Sequence, residues 1–156
     1  MIAQRRLRNV VLAVVILAMA GCAADPMRTT SRTAEGVGDR AAAIALDQVG
    51  TPYRFGGNTP RGFDCSGLIH YAYREAGLDV PRTTAQLWSA TAAVGKRELR
   101  VGDLLFFSIE GKMSHVGMYV GGKRFVHAPQ SGRTVEVTSL DAPFYRAALV
   151  RAGRVY

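Results

Sequence analysis

Gly62-Phe63-Asp64-Cys65-Ser66-Gly67-Leu68-Ile69 reads as a tight polar turn that delivers a cysteine onto the first turn of a helix. Asp64 is an N-cap residue type, whose carboxylate accepts a hydrogen bond from the backbone N–H groups that open a helix. Counting from Cys65, residues Leu68, Ile69, Ala72 and Ala76 fall at offsets of 3, 4, 7 and 11, one stripe of an amphipathic helix with Cys65 on it. Gly77 then supplies a C′ stop. The thiol therefore points the same way as the buried face, at the end of the helix where the dipole is positive. A thiolate is stabilised there, and a thiol pKa of about 8.5 can fall to about 3.5–7.5 beside a cation. The competing reading is an inert, buried cysteine, the commoner fate of a free thiol.

Upstream, Ala41, Ile44, Ala45 and Val49 give helical spacing from Asp39 on, closed by Gly50 and Pro52, and residues 53–62 form a loop rich in Gly, Asn and Pro. Downstream, Thr83 or Thr84 caps a short helix through Gln86, Leu87 and Ala90. The pattern then turns from helical to extended. Residues 103–107 are a wholly apolar run after Asp103, as for a strand covered on both faces, and further strands are expected at 115–120, 124–128, 134–138 and 147–150. Helices first and a meander of strands afterwards predicts an α+β domain: N-terminal helices packed on a C-terminal antiparallel sheet of about five strands.

The first residues stand apart. Arg5, Arg6 and Arg8 precede an uninterrupted apolar run at 10–20, too short for a membrane-spanning helix and of the length of a signal-peptide h-region. It ends in Met19-Ala20-Gly21-Cys22, small residues before a cysteine. The expected organisation is a signal peptide at 1–21, a polar, flexible tether at 22–38 and one domain at 39–156. The chain has two cysteines, Cys22 and Cys65, so a lipid on Cys22 would leave Cys65 as the single free thiol of an exported protein, a setting that favours a nucleophile. Of 20 basic residues three lie in the leader, leaving 17 against 12 acidic ones. That modest positive balance suits an anionic cell-wall polymer or membrane surface. No basic stripe interleaved with aromatics appears, so nucleic acid is not an expected partner.

His115 opens one expected strand and His127 lies near the end of the next. Side chains alternate across a sheet, so the turn between them decides whether they meet. A two-residue Gly121-Gly122 turn would pair His115 with Ala128 and put the rings on opposite faces. A three-residue loop through Lys123, or a bulge in one strand, puts them on one face. We expect the shared face, because a thiol nucleophile needs a base and the base an orienting partner. Cys65, His115 and His127 could instead ligate zinc with water in the fourth position, although no C-x-x-C or H-E-x-x-H pair is present. His70, off the Cys65 stripe, reads as a surface residue.

Several stretches recur together in order: Gly50-Thr51-Pro52-Tyr53 with Gly56-Gly57, Phe63-Asp64-Cys65-Ser66-Gly67, Pro81-Arg82-Thr83-Thr84, residues 101–107, residues 115–121 and Phe125-Val126-His127-Ala128. This pattern resembles the NlpC family of bacterial cell-wall cysteine endopeptidases, and within it the small lipoproteins of Gram-negative outer membranes. The resemblance implies a papain-like fold and hydrolysis of a stem-peptide bond of peptidoglycan, either D-glutamyl–diaminopimelate or the D-Ala–diaminopimelate cross-link. It implies Cys65 as nucleophile, His115 as base and His127 as the orienting third member, with Tyr53 helping the oxyanion and Asp64 and Ser66 bordering the substrate cleft. For Asp64, helix capping is the structural competitor. No cofactor or metal is implied, and a monomer is expected. The resemblance also implies a lipid on Cys22, and Ala23 after it points to the periplasmic face of the outer membrane. The competing functions are a catalytically silent, wall-binding lipoprotein and a cell-wall amidase on the same fold. An acyltransferase of related fold would place its histidine before its cysteine.

Overall fold

The structure, a computed structural model, describes residues 26–155, and their side chains from residue 36 on. The first helix begins earlier than its apolar spacing indicates. Helix α1 spans Pro26–Leu46, so from Pro26 on the segment read as a flexible tether is helical. Its polar residues carry no apolar stripe, but none of them after Pro26 is a proline, and Thr, Ser, Arg, Ala and Glu all tolerate helix. Among the residues whose side chains are described, Val37, Ala41, Ala42 and Ala45 of this helix are buried, so the packed domain reaches at least to residue 37. The proposed signal peptide and Cys22 lie outside the described residues.

After α1 a two-stranded ribbon, β1 (Asn58–Thr59) with β2 (Gly62–Phe63), leads into α2 (Cys65–Glu75). Leu68, Ile69 and Ala72 of α2 are fully buried, as the stripe requires, and Gly77 closes the helix at φ 92°. Helix α3 (Thr84–Ala90) is capped by Thr83, whose side chain accepts from the backbone N–H of Gln86. Six strands follow: β3 (Ala92–Val94), β4 (Leu104–Ile109), β5 (Lys112–Gly121), β6 (Arg124–His127), β7 (Glu136–Ser139) and, after a short helix α4 (Pro143–Ala148), β8 (Leu149–Arg154). They form one antiparallel sheet in the order β3-β8-β4-β5-β6-β7. The sheet thus has six strands where about five are expected from sequence. The extra one, β3, is three residues long and shows no alternation.

Strands β4 to β7 form a meander, and β8 returns to the free edge of β4. That makes β4 a central strand, and side chains cover both of its faces. Leu104 and Phe106 join the core under the helices, whereas Leu105 and Phe107 join a second cluster with Phe125 and Ala152. All four are inaccessible to water, which is why the run is apolar without alternation. At the mouth of β4, Asp103 is 2% exposed and held by Arg154 of β8 at 2.8 and 2.7 Å, fastening the last strand to the sheet.

The β5–β6 hairpin fixes the histidines. Gly121 pairs with Arg124 across a two-residue turn, Gly122-Lys123, with φ of 57° and 56°, the positive pair of a type I′ turn. A bulge between Tyr119 and Gly121 then shifts the register, so that Tyr119 faces Phe125 and Met118 faces Val126. Counting back by twos, His115 and His127 share one face. Without the bulge the same turn would put them on opposite faces.

Candidate active site

The helix end of the site is built by Asp64. Its Oδ1 accepts from the backbone N–H of Gly67 at 2.6 Å, capping α2, and from Ser66 Oγ at 3.2 Å. Arg82 grips the same carboxylate with two nitrogens, at 2.9 Å to Oδ1 and 2.6 Å to Oδ2. The guanidinium also donates to Ser66 Oγ at 2.9 Å and to the Gly57 carbonyl at 3.1 Å. Gly67 is glycine because of this crowding: a Cβ there would lie 1.9 Å from the Gly57 carbonyl oxygen. Asp64 therefore caps the helix and ties the 57 loop, α2 and the start of α3 into one unit. Ser66 is buried within that unit.

Cys65, half-buried at the first turn of α2, has its sulfur 3.8 Å from Thr84 Oγ1 and 3.9 Å from the carbonyl of Ser114, the residue before His115. The helix tip and β5 are thus adjacent. His115 Nε2 lies 2.9 Å from His127 Nδ1, and His127 Nε2 lies 3.0 Å from Thr138 Oγ1 and 3.6 Å from Glu136 Oε1. His127 is fully buried and His115 almost so. Their rings sit among aromatics, with Phe107 against His115 and Phe125 and Tyr145 against His127. With its Nε2 committed to His127, His115 keeps Nδ1 for another partner.

The electrostatics differ from what the helix tip alone suggests. Burial pushes the Cys65 thiol up, and the Asp64 carboxylate adds to the rise. Hydrogen bonds from the Val116 backbone N–H, the Thr84 hydroxyl and the Ser66 N–H oppose it without reversing it. Burial, then repulsion from His127, lowers His115 to about 3; burial, then the Arg133 charge, lowers His127 to about 4. Burial thus favours the neutral forms of the thiol and of both imidazoles and works against the thiolate that the helix tip favours. In such an arrangement a neutral thiol can hand its proton to a base as the sulfur attacks.

Tyr53 is half-buried, and its phenol is pushed up by burial first and then by Cys65 and Asp64, which places it within electrostatic reach of both. Its backbone N–H donates to the Arg133 carbonyl at 2.8 Å, tying the 53 loop to the segment before β7. His70 is not a free surface residue: its Nδ1 lies 2.8 Å from the Val80 carbonyl. Among the described residues no group of three His, Cys, Asp or Glu is arranged to hold a metal ion. One nitrogen of each ring, His115 Nε2 and His127 Nδ1, is turned toward the other ring and is not available to a metal ion. Glu136, Thr138 and Tyr145 join the site without being singled out by the sequence, and Arg82 and Thr84 stand there only within a matching stretch or as a possible helix cap. The alternation of Glu136 and Thr138 is visible in the sequence, but only the register shows that it faces His127.

Residues 50–154 match the NlpC/P60 family. The chain belongs to the NlpC/P60 family. The NlpC/P60 domain seen here is 40% identical over 116 residues to the murein DD-endopeptidase MepH of Escherichia coli, covering 70% of this chain and 43% of that protein. It is 38% identical over 128 residues to a Haemophilus influenzae protein named "Probable endopeptidase NlpC homolog", covering 81% of this chain and 68% of the relative. Among solved structures, an NlpC/P60 family protein from Bacillus cereus superposes with a TM-score of 0.72 at 34% identity, over 76% of this chain and 40% of its own. The chain thus spans less than half the length of two of these three proteins. The helices and antiparallel sheet described above are the NlpC/P60 arrangement.

Proposed function

We propose that this chain is a peptidoglycan endopeptidase in which Cys65 is the nucleophile, His115 the base and His127 its orienting partner. The observation that carries the reading is the His115 Nε2–His127 Nδ1 contact of 2.9 Å, which leaves His115 Nδ1 uncommitted on the strand whose Ser114 carbonyl touches the sulfur. In this mechanism the thiol passes its proton to His115 as the sulfur attacks the scissile carbonyl carbon. Backbone N–H groups at the tip of α2, with the Tyr53 hydroxyl, hold the oxyanion. Protonated His115 then gives its proton to the leaving amine nitrogen as the C–N bond breaks, leaving a thioester. Water, deprotonated by His115, hydrolyses the thioester and the thiol is restored.

The leaving amine must lie beside His115, and a cleft of about 320 Å³ opens there between Gln130, Arg133, Phe144 and Tyr145. The substrate is a stem peptide cut at the D-glutamyl–diaminopimelate bond or at the D-Ala–diaminopimelate cross-link. The chain acts as a monomer, anchored by lipid on Cys22 to the periplasmic face of the outer membrane. Digestion of purified sacculi followed by mass analysis of the fragments names the bond. Cys65→Ser is expected to abolish release of fragments with no change in the unfolding transition, and full activity in that variant ends the reading. A Cys22→Ala protein that still incorporates labelled palmitate ends the anchoring proposal.

A further inference from the structure

Two neutral imidazoles joined through His115 Nε2 and His127 Nδ1 can share their protons in two ways. In one, His115 Nε2–H donates to His127 Nδ1, His127 carries its own proton on Nε2, and Nδ1 of His115 is bare. In the other, His127 Nδ1–H donates, Nε2 of His127 is bare, and the His115 proton sits on Nδ1, where it blocks the base. Only the first arrangement can accept a proton from Cys65. The second costs no hydrogen bond within the pair, so something beyond the pair must select.

Strand β7 supplies it. His127 faces Glu136 directly in the β6–β7 register, and Phe125 faces Thr138, so His127, Glu136 and Thr138 share a face. His127 Nε2 meets Thr138 Oγ1 at 3.0 Å and Glu136 Oε1 at 3.6 Å. The Thr138 hydroxyl can donate or accept and so is indifferent to the choice. The Glu136 carboxylate only accepts. Arg133 holds Glu136 Oε2 at 2.5 Å, which leaves Oε1 toward the ring. The charged and titratable groups around His127 are then Glu136, Arg133, Tyr145 and His115, and of these only Glu136 offers an anion to Nε2. We propose that Glu136 is a positioning residue that holds the proton of His127 on Nε2 and thereby keeps Nδ1 of His115 bare for Cys65. When His115 takes up the thiol proton, the positive charge forms at the end of a chain that terminates in this carboxylate. The proposal deepens the endopeptidase reading and rests on it for the identity of the reaction, not for the protonation pattern.

Ring-nitrogen NMR on the full chain with labelled histidine tests it. The chain has three histidines, so the signals are few. Near neutral pH the wild type is expected to show His115 and His127 both protonated on Nε2. Glu136→Gln, whose amide can present either a donor or an acceptor, is expected to populate the Nδ1-protonated form of His127. Its kcat should fall about tenfold, less than the loss when a fully buried orienting carboxylate is neutralised, with KM changed by less than about twofold. Glu136→Asp should restore part of the wild-type ring pattern. Thr138→Val should keep the pattern, with a smaller loss of rate. A wild-type spectrum with His127 protonated on Nδ1, or a Glu136→Gln spectrum identical to wild type, overturns the proposal. A wild-type protein with the expected pattern that releases nothing from sacculi overturns the endopeptidase reading and leaves the proton assignment standing.

Discussion

At the helix end of the site, nearly every polar partner of Cys65 and Asp64 comes from a short span of chain, Gly57 to Thr84, and both oxygens of Asp64 are occupied. At the sheet end, His115 and His127 are brought together from two strands inside a box of Phe107, Phe125 and Tyr145, with Thr138 and Glu136 as their outer polar partners. The first end is a network of charge-assisted hydrogen bonds near water. The second holds ionisable rings out of water in their neutral form. The two ends should therefore fail differently: damage to the helix end should loosen several segments at once, and damage to the sheet end should disable proton transfer or respond to acid.

The largest expected effect is on the sheet end. His127→Ala removes the partner of His115 Nε2 and should lower kcat by about 10²–10⁴, the range for a lost acid–base contribution. His127→Gln, whose carbonyl can still accept from His115, should lose less. Turnover of isolated muropeptides measures both. A His127→Ala enzyme with near wild-type turnover would mean that the two ends do not work as one site.

Acid sharpens the comparison further. His115 and His127, at about 3 and about 4 in the folded protein, lie below the ordinary 6.5. Below pH 6.5 the unfolded chain therefore binds protons that the folded chain does not. Their contribution to stability is full above about pH 6.5 and is lost as pH falls toward 4 and 3, by up to about 1.4 kcal/mol per pH unit for each ring. Urea midpoints at pH 7 and pH 5 should show a smaller drop in His127→Gln than in wild type. Equal drops would place the acid sensitivity elsewhere.

Asp64→Asn probes the helix end on a smaller scale. Asparagine caps a helix as well as aspartate does, so the cap survives, but Arg82 loses its charged partner. The pair is partly exposed, at 14% for the aspartate side chain and 29% for the arginine, so a loss of about 1–2 kcal/mol is expected by denaturant unfolding. Activity should fall modestly, following the shift of the 57 loop. Abolished turnover with unchanged stability would instead put Asp64 in contact with substrate.

The contrast also explains what could be read from sequence. Cap, stripe and terminal glycine of α2 lie within fourteen residues, Asp64 to Gly77, where local spacing suffices. The doubly covered β4 was legible for the same reason, as an apolar run without alternation. The shared face of the histidines is expected from what a thiol nucleophile needs, and a bulge is one of two routes to it. The spacing cannot choose the route, because Gly121-Gly122-Lys123 admits several turns and the bulge before Gly121 depends on pairing across the hairpin. The thiol misled in a related way. The helix dipole that favours a thiolate is a local property, whereas the burial that opposes it comes from β5 and α3 packing over the sulfur. The early start of α1 was not legible because the regular apolar spacing begins only after Asp39, more than three turns beyond Pro26.

The smallest effects separate neighbours at the start of α3. Thr83 is exposed and caps the helix, its Oγ1 accepting from the Gln86 N–H at 3.4 Å and donating to Gln86 Oε1 at 2.9 Å. Thr84, one residue on, turns its hydroxyl to the sulfur at 3.8 Å and opposes the rise of the thiol. Thr83→Ala should cost about 0.5–1 kcal/mol of stability, at the low end for a cap because the bond is long, and leave the reactivity of Cys65 unchanged. Thr84→Val should do the reverse: the same shape packs against α2, but the thiol titrates higher, so the pH profile for alkylation by iodoacetamide moves up. If Thr83→Ala moves that profile as well, the cap orients the hydroxyl that reaches the sulfur, and α3 belongs to the helix end of the site and is more than a wall beside it.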